Sequence, residues 1–294
     1  MDIRQLKHFV AIVDHGTFLK AAKAIPISQP ALTRSLQNLE FNLGVTLLNR
    51  STRGIQITDI GERLYRRAQL IISESERAIT EARNQSSEIE LKVGMAPMFA
   101  GQLLPEVLRS LATSNPEIKM VIISGLFEDL VNDLSSGKID IMISNLPFTD
   151  LHDDLEVQPL LDITIDYVAS SIHPLCKKSE LKLKDLIKFP WAVVDVQHAN
   201  DLYSYIFTSE GETSSPITLK TNSLTLLKSI ITQPPFITLL PHHMVKSDVA
   251  NGNLAILNVN QDTLRRKGGL IYRKNILPNP TIEMFINAVK AAKF

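Results

Sequence analysis

The sequence is short of cysteine and of long apolar runs, and it carries no excess charge of either sign. Cys176 is the single cysteine among 294 residues. That excludes an internal disulfide, a redox switch built on one, and a zinc site made of several thiolates. No apolar stretch approaches the roughly 20 residues that cross a bilayer. Met1 to Lys7 lack the apolar core of a signal peptide, so a cytoplasmic protein without a membrane partner is expected. Neither Gly-x-Gly-x-x-Gly nor Gly-x4-Gly-Lys-Ser/Thr occurs, and there is no Gly-x-Ser-x-Gly nucleophile elbow. An enzyme is therefore not expected, and neither is a bound cofactor. His242 and His243 are adjacent, so on a helix they point about 100° apart. A zinc helix needs its histidines four residues apart, and polar residues beside a helix start are the simpler account.

Lys+Arg and Asp+Glu both number 31, which at first argues against a nucleic-acid partner. The signs are not spread evenly. Residues 1–60 hold seven basic side chains (Arg4, Lys7, Lys20, Lys23, Arg34, Arg50, Arg53) and four acidic ones (Asp2, Asp14, Glu40, Asp59), a balance of +3. Residues 61–90 balance to −1 and residues 91–294 to −2. Neutrality is thus the sum of a basic head and a slightly acidic body.

The head reads as three helices and a hairpin. Asp2 is placed to cap a helix with Leu6, Phe9, Val10 and Val13 on one side, and Gly16 ends it. Thr17 caps a short second helix with Phe18, Ala21 and Ala22 inward. Pro26 breaks the chain, and Ser28 caps a third helix with Pro30 in its first turn. That helix runs to Leu43, with Gly44 as terminator and Leu32, Leu36, Leu39 and Leu43 as its apolar stripe. Gln29, Pro30, Thr33, Arg34 and Gln37 occupy the opposite face, polar but for one proline and charged only at Arg34. Such a face suits base edges, where arginine reads guanine and glutamine adenine. A merely solvated face would more often carry Lys/Glu pairs four apart. Leu47-Leu48 and Ile55–Thr58 then flank Asn49–Gly54, a hairpin whose tip offers Arg50, Ser51, Thr52 and Arg53 to phosphate oxygens or the minor groove. The whole is a winged helix-turn-helix pattern.

The run Thr17-Phe18-x-x-Ala21-Ala22, Ile27-Ser28-Gln29-Pro30-Ala31-Leu32-Thr33-Arg34-x-Leu36-x-x-Leu39-Glu40-x-x-Leu43-Gly44-Val45-x-Leu47-Leu48-x-Arg50, continued by Thr58-x-x-Gly61, resembles the LysR-type transcriptional regulators. The resemblance implies that Ser28, Gln29, Pro30, Thr33 and Arg34 enter the major groove while Arg50, Thr52 and Arg53 form the wing. It also implies double-stranded operator DNA, a small-molecule effector and RNA polymerase as partners of a homodimer or homotetramer.

From Asp59 to about Gln85 a helix of some 40 Å is expected, with Ile60, Leu64, Ala68, Ile71, Ile72, Ala78, Ile79 and Ala82 as a narrow apolar stripe. Either a partner helix from a second chain or the helix's own domain has to cover it. The expected division is a DNA-binding domain over 1–58, a linker helix over 59–87 and a regulatory domain over 88–294. Within the last, strands alternate with helices: Leu91–Met95, Met120–Ser124 and Ile139–Ile143 in one lobe, then Ile163–Val168 opening a second that runs to about residue 267. Strand Leu270–Arg273 and helix Thr281–Ala292 return to the first. Lobe I would span about 88–161 and 268–294, and lobe II about 162–267. The fold class is thus an all-α winged head plus a two-lobed α/β domain similar to type-2 periplasmic binding proteins, which serves this family as effector domain.

A ligand in such sheets sits beyond the carboxyl ends of strands. That selects Met98, Phe99 and Ala100 after the first strand, Asn145 and Pro147 after the third, and Asp195, Gln197, Asn222, Ser223 and Phe236 in lobe II. Many relatives hold an effector carboxylate with Ser or Thr in the first loop, whereas Pro97-Met98-Phe99-Ala100 has no hydroxyl. An effector with an apolar or aromatic part is expected instead. Pro234-Pro235 is a second departure, replacing a glycine-containing turn and admitting a cis bond.

Overall fold

The computed structural model describes residues 1–51, 54–83, 89–101, 103–147, 151, 154–194, 203, 206–207, 216–260, 264–274 and 279–292. Local chemistry sets the head. Asp2 caps α1 (Ile3–His15) through a reciprocal box, its carboxylate accepting the Gln5 N–H at 2.8 Å and the Gln5 side chain accepting its own at 3.0 Å. Thr17 caps α2 (Phe18–Ala24) and Ser28 caps α3 (Gln29–Leu43). Gly16 and Gly44 end their helices at φ 67°, a left-handed turn that a side chain would strain. Leu6, Phe9, Ile12, Ala21, Leu32, Leu36 and Leu39 close the core.

Two expectations are corrected here. Ile12 is buried while Val10 and Val13 are only half covered. Leu43 is 36% exposed, because residues 41–44 are all exposed and the last turn of α3 projects past the helices it packs on.

The hairpin pairs β1 (Leu48–Ser51) with β2 (Gly54–Ile57), Leu48 opposite Ile57. Thr58 then caps α4 (Asp59–Arg83), its hydroxyl accepting the Gly61 N–H at 3.0 Å. The apolar stripe of α4 divides. Leu64, Ala68 and Ile72, with Tyr65, pack against the head, so its own domain covers part of the stripe. Ile60, Ile71, Ala78, Ile79 and Ala82 stay exposed. The boundary expected between residues 87 and 88 lies outside the described residues.

Beyond it the described residues form a nine-stranded sheet. On one side β4 (Ile118–Ser124), β3 (Ile89–Met95) and β5 (Ile141–Asn145) run parallel; on the other, β9 (Ile237–Pro241), β7 (Trp191–Val194) and β8 (Ile217–Thr221) do the same. Between them, β11 (Leu264–Arg273) and β6 (Leu155–Ser170) run antiparallel to each other and to their other neighbours, β5 and β9, and β10 (Leu254–Ile256) pairs with β6. The sheet is therefore parallel within each lobe, not throughout. Helices α5 (Leu103–Ser114) and Pro280–Ala291 bury one face of the first group around Val93, Ile141 and Phe285. In the second, Trp191 is ringed edge-on by Tyr167, Tyr203 and Phe207.

Both crossing strands are longer than the sequence pattern predicts, β6 beginning at Leu155 and not Ile163, and β11 at Leu264 and not Leu270. Pro159 and the pair Gly268-Gly269 lie within these extensions. In the fold they face each other across a register shift, where Gly269 pairs with Pro159 and Gly268 with Leu161. Proline has no N–H for the ladder, and a bulge accommodates it. A Cβ on Gly269 would lie 2.4 Å from the Gln158 carbonyl oxygen, so only glycine fits this crossing.

Candidate nucleic-acid interface and effector cleft

Leu32, Leu36 and Leu39 bind α3 to α1 and α2, which turns its other side outward. Ser28, Gln29, Pro30, Arg34 and Gln37 are exposed and Thr33 is half-buried. One helix face thus gathers two amides, two hydroxyls and a guanidinium, all able to reach hydrogen-bonding edges. His8 Nδ1 meets Ser35 Oγ at 2.7 Å behind that face, tying α3 to α1. Burial holds the His8 imidazole below its ordinary pKa, favouring the neutral ring. Thr52 and Arg53 lie outside the described residues, and of Arg50 only its place in β1 is described.

The second site is a cavity of about 430 Å³ between the two strand groups, lined by Met98, Phe99, Leu103, Leu161, Asp162, Ile163, Thr164, His242 and His243. Its body is apolar. The sequence reading picked out Met98 and Phe99, in a turn after β3. His243 crosses from the helix His242–Ala250, its Nε2 meeting the Met98 carbonyl oxygen at 3.0 Å. A carbonyl only accepts, so Nε2 carries the proton there. His242 Nδ1 meets Asp166 Oδ2 at 2.7 Å. The two histidines do stand at a helix start, and among the described residues no His, Cys, Asp and Glu group fit for a metal occurs.

Residues 3–62 match the bacterial regulatory helix-turn-helix family of the lysR type, and residues 84–293 match the LysR substrate binding domain. The chain belongs to the LysR family. It is a DNA-binding transcriptional regulator with an effector-binding domain, not an enzyme. It is 28% identical over 291 residues to the SDS degradation transcriptional activation protein of Pseudomonas sp. (strain ATCC 19151), covering 96% of this chain and 93% of that one. Among solved structures it resembles the Corynebacterium glutamicum OxyR C206 mutant, at TM-score 0.58 and 28% identity over 98% and 92% of the two chains. It shares the fold of full-length CbnR complexed with target DNA, at TM-score 0.54 and 24% identity over 99% of each.

The other residues predicted for the effector site of this LysR-type chain are dispersed. Ala100 is exposed beyond the Pro97–Phe99 turn. Asn145 ends β5 opposite Gly268, with its Oδ1 buried and without a hydrogen-bond partner among the described residues. Pro147 is half-buried. Asn222 and Ser223 are exposed, and Ser223 Oγ caps the helix Leu224–Ile231 by accepting the Leu226 N–H at 3.3 Å. Phe236 packs against the cluster of Val168, Ala192 and Leu240, not against the cavity. Asp195 and Gln197 lie outside the described residues. The Pro234–Pro235 bond is cis, and His173 Nε2 meets the Pro235 carbonyl oxygen at 3.1 Å.

Sequence reasoning missed Leu103, Leu161–Thr164 and the two histidines as cavity residues. Leu161–Thr164 occupy a stretch of β6 where β11 pairs along one edge and β9 begins only at Ile165 on the other. No local pattern marks such an open strand edge.

Proposed function

We propose that Gln29, Thr33, Arg34 and Gln37 discriminate bases in the major groove, with Ser28 and Pro30 at the helix entrance and Arg50, Thr52 and Arg53 meeting phosphate from the wing. The observation that carries this is the polar face of α3, held outward by buried leucines and nearly free of charge. Phosphate contacts supply affinity and base contacts specificity. The exposed stripe Ile60, Ile71, Ala78, Ile79 and Ala82 supports a homodimer through α4, doubled to a tetramer or not, and so a near-palindromic operator. The working division remains 1–58, 59–87 and 88–294, and the protein works in the cytoplasm with RNA polymerase as a partner.

The effector is a small molecule with an apolar or aromatic part. Met98, Phe99, Leu103, Leu161 and Ile163 support this, and none of the lining residues is lysine or arginine. Binding between the lobes changes their closure and, through α4, the spacing or bend of the bound DNA. The likeness to OxyR brings no intramolecular disulfide to this chain, which has one cysteine. The Cys176 thiol is itself pushed above its ordinary pKa by burial.

A gel shift with the DNA upstream of the protein's own coding region, with and without candidate metabolites, tests the reading. A retarded complex whose mobility or footprint a metabolite alters is expected. Equal binding to unrelated DNA would overturn the base-reading assignment. A fragment of residues 1–87 that sediments as a monomer at high concentration would count against the α4 dimer.

A further inference from the structure

We propose that Glu40 is a positioning residue for DNA binding, holding the root of the wing to the reading helix so that the hairpin tip lies along the phosphates. The proposal rests on the reading that the wing meets DNA.

Glu40 sits in the last turn of α3, where a carboxylate opposes the helix dipole and no basic side chain offsets it. Helix stability therefore does not account for it. Its Oε1 accepts two backbone N–H groups, from Leu47 at 2.7 Å and Leu48 at 3.3 Å. Leu48 is the first residue of β1, so the carboxylate takes the amides where the chain turns into the wing. Bonds from N–H to a carboxylate are stronger than neutral ones, and two on one oxygen fix a direction.

The same peptide is gripped from the other side by the start of α4. The Leu47 carbonyl accepts from the Thr58 N–H at 3.0 Å and from its hydroxyl at 3.2 Å, and the Thr46 carbonyl accepts from that hydroxyl at 2.9 Å. A Cβ on Gly61 would lie 2.3 Å from the Leu47 oxygen, so α4 approaches as closely as a helix can. Leu47 itself is fully buried. The wing root is thus pinned between the helix that reads bases and the helix that leads to the regulatory domain.

Charge and position predict opposite signs. As a mere negative charge near DNA, Glu40 would oppose binding, and its removal would tighten the complex. As a positioning group it would favour binding, and glutamine, whose carbonyl oxygen accepts the same two amides, would replace it.

The test is the salt dependence of full-length protein binding to a random-sequence duplex, for Glu40→Ala, Glu40→Gln, Glu40→Asp and the double variant Arg50→Ala/Arg53→Ala. The double variant is expected to flatten the slope by about one to two units. Glu40→Ala should weaken binding roughly fivefold to tenfold at physiological salt and flatten the slope by about one unit. Glu40→Gln should stay within about twofold of the parent. Glu40→Asp keeps the charge but shortens the reach by one methylene, and should behave like alanine; it serves in its place should alanine not fold. Tighter or unchanged binding by Glu40→Ala and Glu40→Asp, with a flattened slope in the double variant, overturns the Glu40 role alone. An unflattened double variant overturns the wing reading and the proposal with it.

Discussion

Arg77 on α4 and Asp140 at the foot of β5 form an ion pair of 2.5 Å. Asp140 is 1% exposed, and its second oxygen accepts the Lys92 N–H at 2.8 Å. One turn earlier, the Ser73 hydroxyl donates to the Gly137 carbonyl at 2.8 Å. The helix that carries the DNA-binding head is thereby fastened to the regulatory domain at the strand whose other end, Asn145, pairs with Gly268. A Cβ on Gly268 would lie 3.0 Å from the Phe99 ring, which lines the cavity.

Removing the buried carboxylate should be costly. Asp140→Ala is expected to lose about 3 kcal/mol, the low end for a broken buried pair because Arg77 keeps some access to solvent. Asp140→Asn should lose less, since its oxygen still accepts the Lys92 amide. Urea unfolding of both variants measures this, and a loss under about 0.5 kcal/mol for alanine would show that the pair holds nothing together.

Gly137 and Gly252 separate backbone strain from contact. Both have positive φ, 77° and 73°, but a Cβ meets nothing within 4 Å at Gly252, and Leu70 Cδ1 at 2.9 Å at Gly137. Gly252→Ala should cost about 1 kcal/mol from the left-handed conformation alone. Gly137→Ala should cost more and loosen α4, read as faster amide exchange around Ser73. Equal costs would mean that α4 does not rest on this turn.

Within the head, Leu36→Ala should cost about 2–5 kcal/mol, whereas Leu43→Ala should stay within about 0.5 kcal/mol. Thermal melts of the two variants decide it. A large loss at Leu43 would place that side chain in the core after all.

His173 is buried, and burial keeps its folded-state pKa below the ordinary 6.5 against a smaller upward pull from the Pro235 carbonyl. The unfolded chain then takes up the proton first as pH falls. The histidine's contribution is complete above about pH 6.5 and is lost as pH falls through the folded pKa. His8 shifts in the same direction. Urea midpoints should decline below about pH 6.5, less steeply in His173→Asn; identical slopes would remove His173 from the account.

On DNA, Arg34→Ala should cost about 1–3 kcal/mol and relax preference at one operator position. Selection from a random library, read by sequencing, reports both. An unchanged preference would remove Arg34 from base reading.

The head was legible because its signals act over three or four residues. Asp2 with Gln5, Ser28 with Ala31 and Thr58 with Gly61 are each three apart, and a cap needs only the chain that follows it. The stripe of Leu32, Leu36 and Leu39 follows from helix geometry in the same way. Leu43 obeys the same period yet lies outside the core, since how far a helix overlaps its neighbours is not written in its own spacing.

What the sequence determined by itself, then, was the kind of molecule: a helix with one polar face turned outward, a basic hairpin, a long rod and two groups of alternating strands and helices. These rest on periodicity, capping and turn chemistry, which are local. Tertiary structure decided what meets what. His243 reaches the Met98 carbonyl across 145 residues, and Arg77 reaches Asp140 across 63. At the crossing of β6 and β11, Pro159 and Gly268-Gly269 each supply what the other's strand needs, no N–H on one side and no side chain on the other. Contacts of that separation depend on how strands pair and lobes close, and single residues carry no mark of them until the chain has folded.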